Sequence, residues 1–219
     1  MIDSPDASQF TALRQHMVEM QMRRRGICDE RVLDAMARVP RHLFTAGRDR
    51  DQAYEDHPLP IGEEQTISQP FIVALMLELL ALTPDDKVLE VGTGSGYVTG
   101  LLAELTAQVI SIERHAALAE RARALLQQLG YRNVTVIMGD GSQGYEPAAP
   151  YDAILVSAAA PVVPAPLLAQ LAEGGRMVIP VGPPEAQQLQ VIRRENGGIH
   201  TILRESCRFV PLVSNEKLP

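Results

Sequence analysis

Cysteine is scarce in this chain of 219 residues: there are two, Cys28 and Cys207, far apart and without ligand partners nearby. That argues against a disulfide framework and fits a reduced, cytoplasmic setting. Basic charge is also short. Lys and Arg number 20 against 27 Asp and Glu, which gives a net charge of −7, so a nucleic-acid partner is not expected. The one basic run, Arg23 to Arg25, closes a helical pattern, where cations suit the helix end. The N-terminal "MIDSPDASQF" has neither the basic region nor the apolar core of a secretory leader. The uncharged stretch over residues 153–172 is divided by Pro161, Pro164 and Pro166, so no membrane span is read there. The five histidines show no ligand spacing, and no metal is expected.

What remains is a globular composition with 46% apolar residues, enough for one sizeable core. Residues 8–25 read as an amphipathic helix with Leu13, Met17 and Met20 on its apolar face. Asp29 reads as the N-cap of a second helix that stops before Pro40. The rest of the first seventy residues reads as irregular. After Pro70 the pattern changes. Helices at "FIVALMLELLAL", "YVTGLLAELT", "HAALAERARALLQQLG" and "PAPLLAQLAEGG" alternate with strands at "KVLEV", "QVISIE", "VTVIMGD", "YDAILVSA" and "RMVIPV". Two further strands, "LQVIRR" and "IHTILRESC", flank "ENGG" as a hairpin. The expected fold is therefore α/β: a doubly wound, mostly parallel, seven-stranded Rossmann-like sheet with an antiparallel C-terminal edge. Residues 1–70 would form a helical extension and substrate loop, and residues 71–219 the ligand-binding domain, as one compact unit.

The strand "KVLEV" runs into "GTGSGY", with Gly92, Gly94 and Gly96, and then a helix. Open α/β sheets bind ligands at such a turn. The spacing is G-x-G-x-G, not that of a dinucleotide fingerprint, and Glu90 lies two residues ahead of it. A pyrophosphate would meet a carboxylate there. S-adenosylmethionine carries a sulfonium and an ammonium instead, so it is the favoured cofactor. Glu113 closes the next strand 21 residues past Gly92 and suits the two ribose hydroxyls. Asp140, in "GDG" with Gly141, suits an adenine amino group. The strand facing the methyl group ends in "SAAAP", which lacks the Asn/Asp-Pro-Pro-aromatic tetrad of amino-group methylation, and neither cysteine follows a proline as carbon methylation of cytosine requires.

"AYEDHPLPIGEEQTISQPFIVALM", followed by "VLEVGTGSGY", "GDG" and "RFVPL", resembles the protein-L-isoaspartate O-methyltransferases from about residue 39 to residue 212. "QTISQP" is more specific to them than the glycine loop. The resemblance implies a class I S-adenosylmethionine-dependent fold and methylation of the free α-carboxylate of isoaspartyl residues in damaged proteins. The ester then closes to a succinimide that hydrolyses partly to normal aspartate. Ser68 would be the active-site residue, with Gln65, Thr66, Ile67 and Arg114 added to the cofactor contacts. Pro60, Ile61, Val210, Pro211, Leu212 and Val213 would hold the peptide, and the chain would act as a monomer. Glu64 stands where many members have glycine, and Ser142 where bacterial members often have tryptophan. From the sequence alone, Ser68 reads first as a helix N-cap ahead of Pro70, and the resemblance turns the reading toward catalysis. Two other readings stay open: a small-molecule carboxyl or hydroxyl methyltransferase, and a non-catalytic adenosyl-binding module.

The chemistry suits these residues. An α-carboxyl titrates near about 3.5, so the nucleophile is ionised without a general base. Positioning can supply roughly 7–11 kcal/mol of such a barrier. A neutral hydroxyl donor would orient the carboxylate without quenching it, as a cation would.

Overall fold

A computed structural model describes residues 5–215. Helix α1 (Pro5–Met17) passes through a π turn (Val18–Met22) and a 3-10 turn (Arg23–Arg25) before Gly26, at φ 98°, stops it. Phe10, Met17, Val18 and Met22 are buried, while Leu13 and Met20 sit at 36% and 38% exposure. The inward face is thus narrower than the spacing predicts, because the π turn shifts the rows of side chains midway. Helix α2 (Glu30–Arg38) starts at Asp29, whose side chain accepts the Arg31 N–H at 2.9 Å.

The first seventy residues also contain a feature the pattern does not show. Strands β1 (Leu59–Gly62) and β2 (Gln65–Ile67) pair as an antiparallel hairpin. Its two turn residues, Glu63 and Glu64, have φ of 52° and 57°. A tight hairpin turn wants that left-handed geometry, but it normally takes Asn or Gly to supply it. Helix α3 (Pro70–Leu80) follows.

Alternation then builds the main sheet: β3 (Lys87–Val91), α4 (Tyr97–Leu105), β4 (Gln108–Glu113), α5 (Ala116–Gln128), β5 (Val134–Met138), β6 (Tyr151–Val156), α6 (Ala165–Ala169), β7 (Leu171–Val181), β8 (Gln187–Glu195) and β9 (Gly198–Cys207). The seven strands lie in the order β5-β4-β3-β6-β7-β8-β9. Those from β5 to β7 are parallel, and β8 and β9 run antiparallel as the edge. Helix α6 is shorter than expected. Gly174 and Gly175 do not end it; they belong to β7, where the register against β6 slips between Tyr151 and Ala153. Two glycines in a strand mark a bulge, not a helix cap.

One large apolar cluster joins Phe10, Met17, Leu33 and Ile67 of the N-terminal part to Val88, Leu101, Val109 and Leu155 of the sheet layer. A second, on the other face, contains Leu89, Ile112, Ile154 and Met177. The sheet is therefore covered on both faces, as parallel strands require. Among the described residues no helix is long and apolar enough to cross a membrane.

Candidate active site

The chain leaves β3 toward β4 on one side, and β6 continues the sheet on the other. That reversal opens a crevice at the carboxyl ends of β3 and β6, with about 800 Å³ of empty space up to its mouth. Gly92, Gly94 and Gly96 turn there at φ of 94°, 54° and 89°, conformations that side-chain-bearing residues rarely adopt. Glu113 fixes the loop: one carboxylate oxygen accepts the Gly94 N–H at 2.8 Å, the other the His115 N–H at 2.9 Å. Among the described residues, Arg114 is the one Lys or Arg in the crevice lining. The Arg114 guanidinium donates to the Val213 carbonyl at 2.7 Å. A pyrophosphate would find little counter-charge here; a sulfonium would meet little to repel it.

Glu90, expected at the cationic end of the cofactor, instead sits beneath the loop and is not part of the lining. It is fully buried. Its Oε2 accepts the Thr99 and Ser111 hydroxyls at 2.6 and 2.5 Å, and Ser111 also pairs with Thr93 at 2.5 Å. Burial pushes its carboxyl up to about 8, against the pull of those hydroxyls. It braces the loop from beneath, through Thr99 and Ser111.

The β1–β2 hairpin brings Gln65, Thr66 and Ile67 over the crevice, followed by Ser68. The Ser68 side chain does not cap α3. The N-cap position is Gln69, without a side-chain cap, and Asp56 reaches in from outside to accept the Phe71 N–H at 3.4 Å. The Ser68 hydroxyl makes no hydrogen bond among the described residues. Behind it lies a second groove of about 1300 Å³, lined by Phe71, Ile72 and Leu75 of α3, Arg25, and residues 205–210. Thr66, Ser68, Ser157 and Val210 line both spaces. They are the wall between them.

The roof of the crevice is the segment after β9. Ala159 N–H donates to the Val210 carbonyl at 2.8 Å and the Leu212 N–H returns to the Ala159 carbonyl at 2.7 Å. Val210, Pro211, Leu212 and Val213 all line the crevice. Asp140 anchors the far end by accepting the Asn215 N–H at 2.7 Å. Burial would raise Asp140, but the N–H of Asn215 and the hydroxyl and N–H of Ser142 hold it below the usual carboxylate range.

The family profile described as Protein-L-isoaspartate(D-aspartate) O-methyltransferase (PCMT) matches residues 12–217. The chain belongs to this family. Relatives include a "Protein-L-isoaspartate O-methyltransferase" of Koribacter versatilis, 56% identical over 99% of this chain and 97% of that one. Another, of Methanoculleus marisnigri, is 55% identical over 91% of each. A solved "putative protein-L-isoaspartate O-methyltransferase" of Plasmodium falciparum, in complex with S-adenosyl-L-homocysteine, superposes with TM-score 0.81 at 29% identity, over 92% of this chain and 99% of that one. A longer solved protein-L-isoaspartate O-methyltransferase superposes with TM-score 0.84 at 28% identity, and this chain spans 66% of it, just under two thirds. The expected fold class is thus that of the family's solved members.

Against the isoaspartyl methyltransferase pattern, the structure gathers Gln65, Thr66, Ile67, Ser68, Gly92, Gly94, Glu113, Arg114, Gly141 and residues 210–213 around one crevice. Gly96 packs behind, where an added Cβ would come within 3.2 Å of Ala122 Cβ. Pro60 is exposed on the hairpin, and Ile61 fills a side cavity against Gly94. Asp140 is taken up by the roof. Both departures from the family pattern have a place. Glu64 is one of the two left-handed turn residues. Ser142 is buried; its hydroxyl donates to Asp140 at 2.7 Å and lies 2.9 Å from the Ser214 hydroxyl, from which it can accept, adding a second tie to the roof. Ser157 and Tyr97 also line the crevice, beyond the residues the sequence pattern marks. Ser157 had a signal, since it follows β6 at the same sheet end as the glycine loop. Tyr97 resembled any apolar helix residue.

Proposed function

We propose that this chain transfers a methyl group from S-adenosylmethionine to the free α-carboxylate of isoaspartyl residues, with Ser68 as the group that orients the carboxylate. The observation that carries it is the shared wall: Ser68 faces the crevice on one side and the groove on the other. The cofactor supplies an electrophilic methyl when bound in the crevice. Its neighbours there would be the glycine loop, Glu113 and the roof. The peptide enters by the groove, and its carboxylate meets the methyl at Ser68.

No residue need take a proton, because the carboxylate is ionised at neutral pH. Ser68 donates one hydrogen bond and fixes the line of attack. The roof and the hairpin exclude water, which strengthens that bond. The backbone nitrogen of the next residue then attacks the methyl ester and expels methanol to form a succinimide, which water opens partly to aspartate, so part of the product is repaired protein. On this reading the partners are isoaspartyl proteins and peptides in the cytoplasm, handled by a single copy of the chain. The permissive second groove, open along α3 and the end of β9, supports acceptance of varied flanking sequences.

The test is labelled methyl transfer to a matched pair of peptides, one isoaspartyl and one aspartyl. Base-labile label on the isoaspartyl peptide alone is expected. Label on neither, with adenosyl ligand still bound, would contradict the reading and favour a small-molecule acceptor.

A further inference from the structure

Arg41 is fully buried, an unusual place for a cation. Its Nε donates to the Ala53 carbonyl at 2.7 Å and its Nη2 to the Ser68 carbonyl at 2.8 Å. Its guanidinium carbon lies 4.9 Å from the centroid of the Tyr97 ring. Tyr97 is the first residue of α4 after the glycine loop and lines the crevice. One side chain therefore touches, from behind, the segment that carries Ser68 and the helix start that carries the glycine loop.

We infer that Arg41 is a positioning residue for methyl transfer: its guanidinium fixes the Ser68–Gln69 peptide and so the direction from which the Ser68 hydroxyl acts. The inference rests on the proposed role of Ser68. The neighbouring restraints leave this peptide as the free joint. Beyond it, Gln69 Nε2 is held by Asp56 at 2.8 Å and Pro70 starts α3. Before it, Ile67 is held in the hairpin against Leu59. Among the described residues, only the bond from Arg41 to the Ser68 carbonyl ties the joint itself.

Stability alone does not account for an arginine here. Burial brings it down to about 10, against the pull of the Tyr97 and Tyr54 hydroxyls and of Asp56, and Nη1 meets none of the distance and angle limits of a hydrogen bond among the described residues. A buried cation with an unpaired donor is a poor stabiliser compared with an apolar side chain of similar volume. What arginine offers is a planar edge with two donors in fixed relation, matched to two carbonyls on different segments. A lysine ammonium reaches one such carbonyl but not both in the same geometry.

The test is a double-mutant cycle on the full chain with Arg41→Lys, Ser68→Ala and the pair. It reads single-turnover methyl transfer to an isoaspartyl peptide, and binding of S-adenosylhomocysteine by calorimetry. Arg41→Lys is expected to slow transfer about 10- to 100-fold, and by no more than Ser68→Ala itself, the scale of a small misplacement of a reacting group, while S-adenosylhomocysteine binding shifts by less than about threefold. In the Ser68→Ala background the same change should cost less than about threefold further, because the two residues act as a unit. Equal losses in both backgrounds would overturn the inference and make Arg41 a general core residue. Transfer undiminished by Ser68→Ala would overturn it together with the reading on which it rests. If Arg41→Lys does not fold, Arg41→Gln, which keeps one donor for the Ser68 carbonyl, enters the same cycle with the same opposing outcomes.

Discussion

The Asp140 carboxylate and the Asn215 backbone N–H meet at 2.7 Å across 75 positions of sequence. The bond closes the far end of the roof over the crevice, with Ser142 and Ser214 completing the knot. A hydrogen bond to a charged group contributes about 1.5–3 kcal/mol. Asp140→Ala should therefore weaken S-adenosylmethionine binding about tenfold or more, and Ser214→Ala by a few-fold, each read by calorimetry. The acid dependence follows from the sign of the shift. Asp140 is depressed in the folded chain, so its contribution is present above the unfolded value near about 3.9 and is lost as pH falls through the lower folded value. Cofactor affinity should be flat in Asp140 above about pH 5.

Glu90 titrates in the opposite sense. It is raised to about 8 in the folded chain, against about 4.3 unfolded. Between those values the folded state holds the extra proton, so stability falls as pH rises through that window and is level in Glu90 above it. Glu90→Gln keeps a neutral group of the same shape. Melting temperatures across pH 5–9 should show the variant gaining on the parent as pH rises. Parallel curves would mean that Glu90 carries its charge in the folded protein.

The Glu63-Glu64 turn is strained by two left-handed non-glycine residues, each costing about 1 kcal/mol or slightly more. Glu64→Gly should stabilise the chain by about 1 kcal/mol. For a protein of this size that raises the melting temperature by about 2–4 °C. A lower melting temperature would show that the glutamate side chain earns its place through contacts.

Gly141 sits so close to β3 that an added Cβ would overlap Val91 Cγ1. Gly141→Ala must shift the backbone that carries Asp140 or the strand that carries the glycine loop. Overpacking of this kind costs typically about 1–3 kcal/mol, and here it falls on both walls of the crevice. Loss of S-adenosylmethionine binding should therefore exceed the loss of thermal stability. Wild-type binding in the variant would show that the walls yield freely.

Much of this was legible in the residues. "KVLEV" and "QVISIE" are strands with the boundaries their apolar runs suggest, because a fully buried parallel strand has no polar face to blur them. The glycine loop followed from spacing. The hairpin at residues 59–67 did not, since its strands are too short to show alternation and glutamates occupy the turn that Asn-Gly would announce. Gly174 and Gly175 imitate a helix stop because a bulge and a helix cap use the same residue for the same conformational freedom. Arg41 was invisible for a different reason: a lone arginine in "VPRHLF" reads as surface, and only the packed fold shows that it is enclosed.

The most direct test of the account is single-turnover methyl transfer from labelled S-adenosylmethionine to isoaspartyl and aspartyl versions of one peptide, by the parent and by Ser68→Ala. The account predicts base-labile label on the isoaspartyl peptide only, with the variant slower by about 10- to 100-fold for one lost orienting hydrogen bond and its adenosyl binding intact. Equal labelling of both peptides, or a variant as fast as the parent, would contradict it.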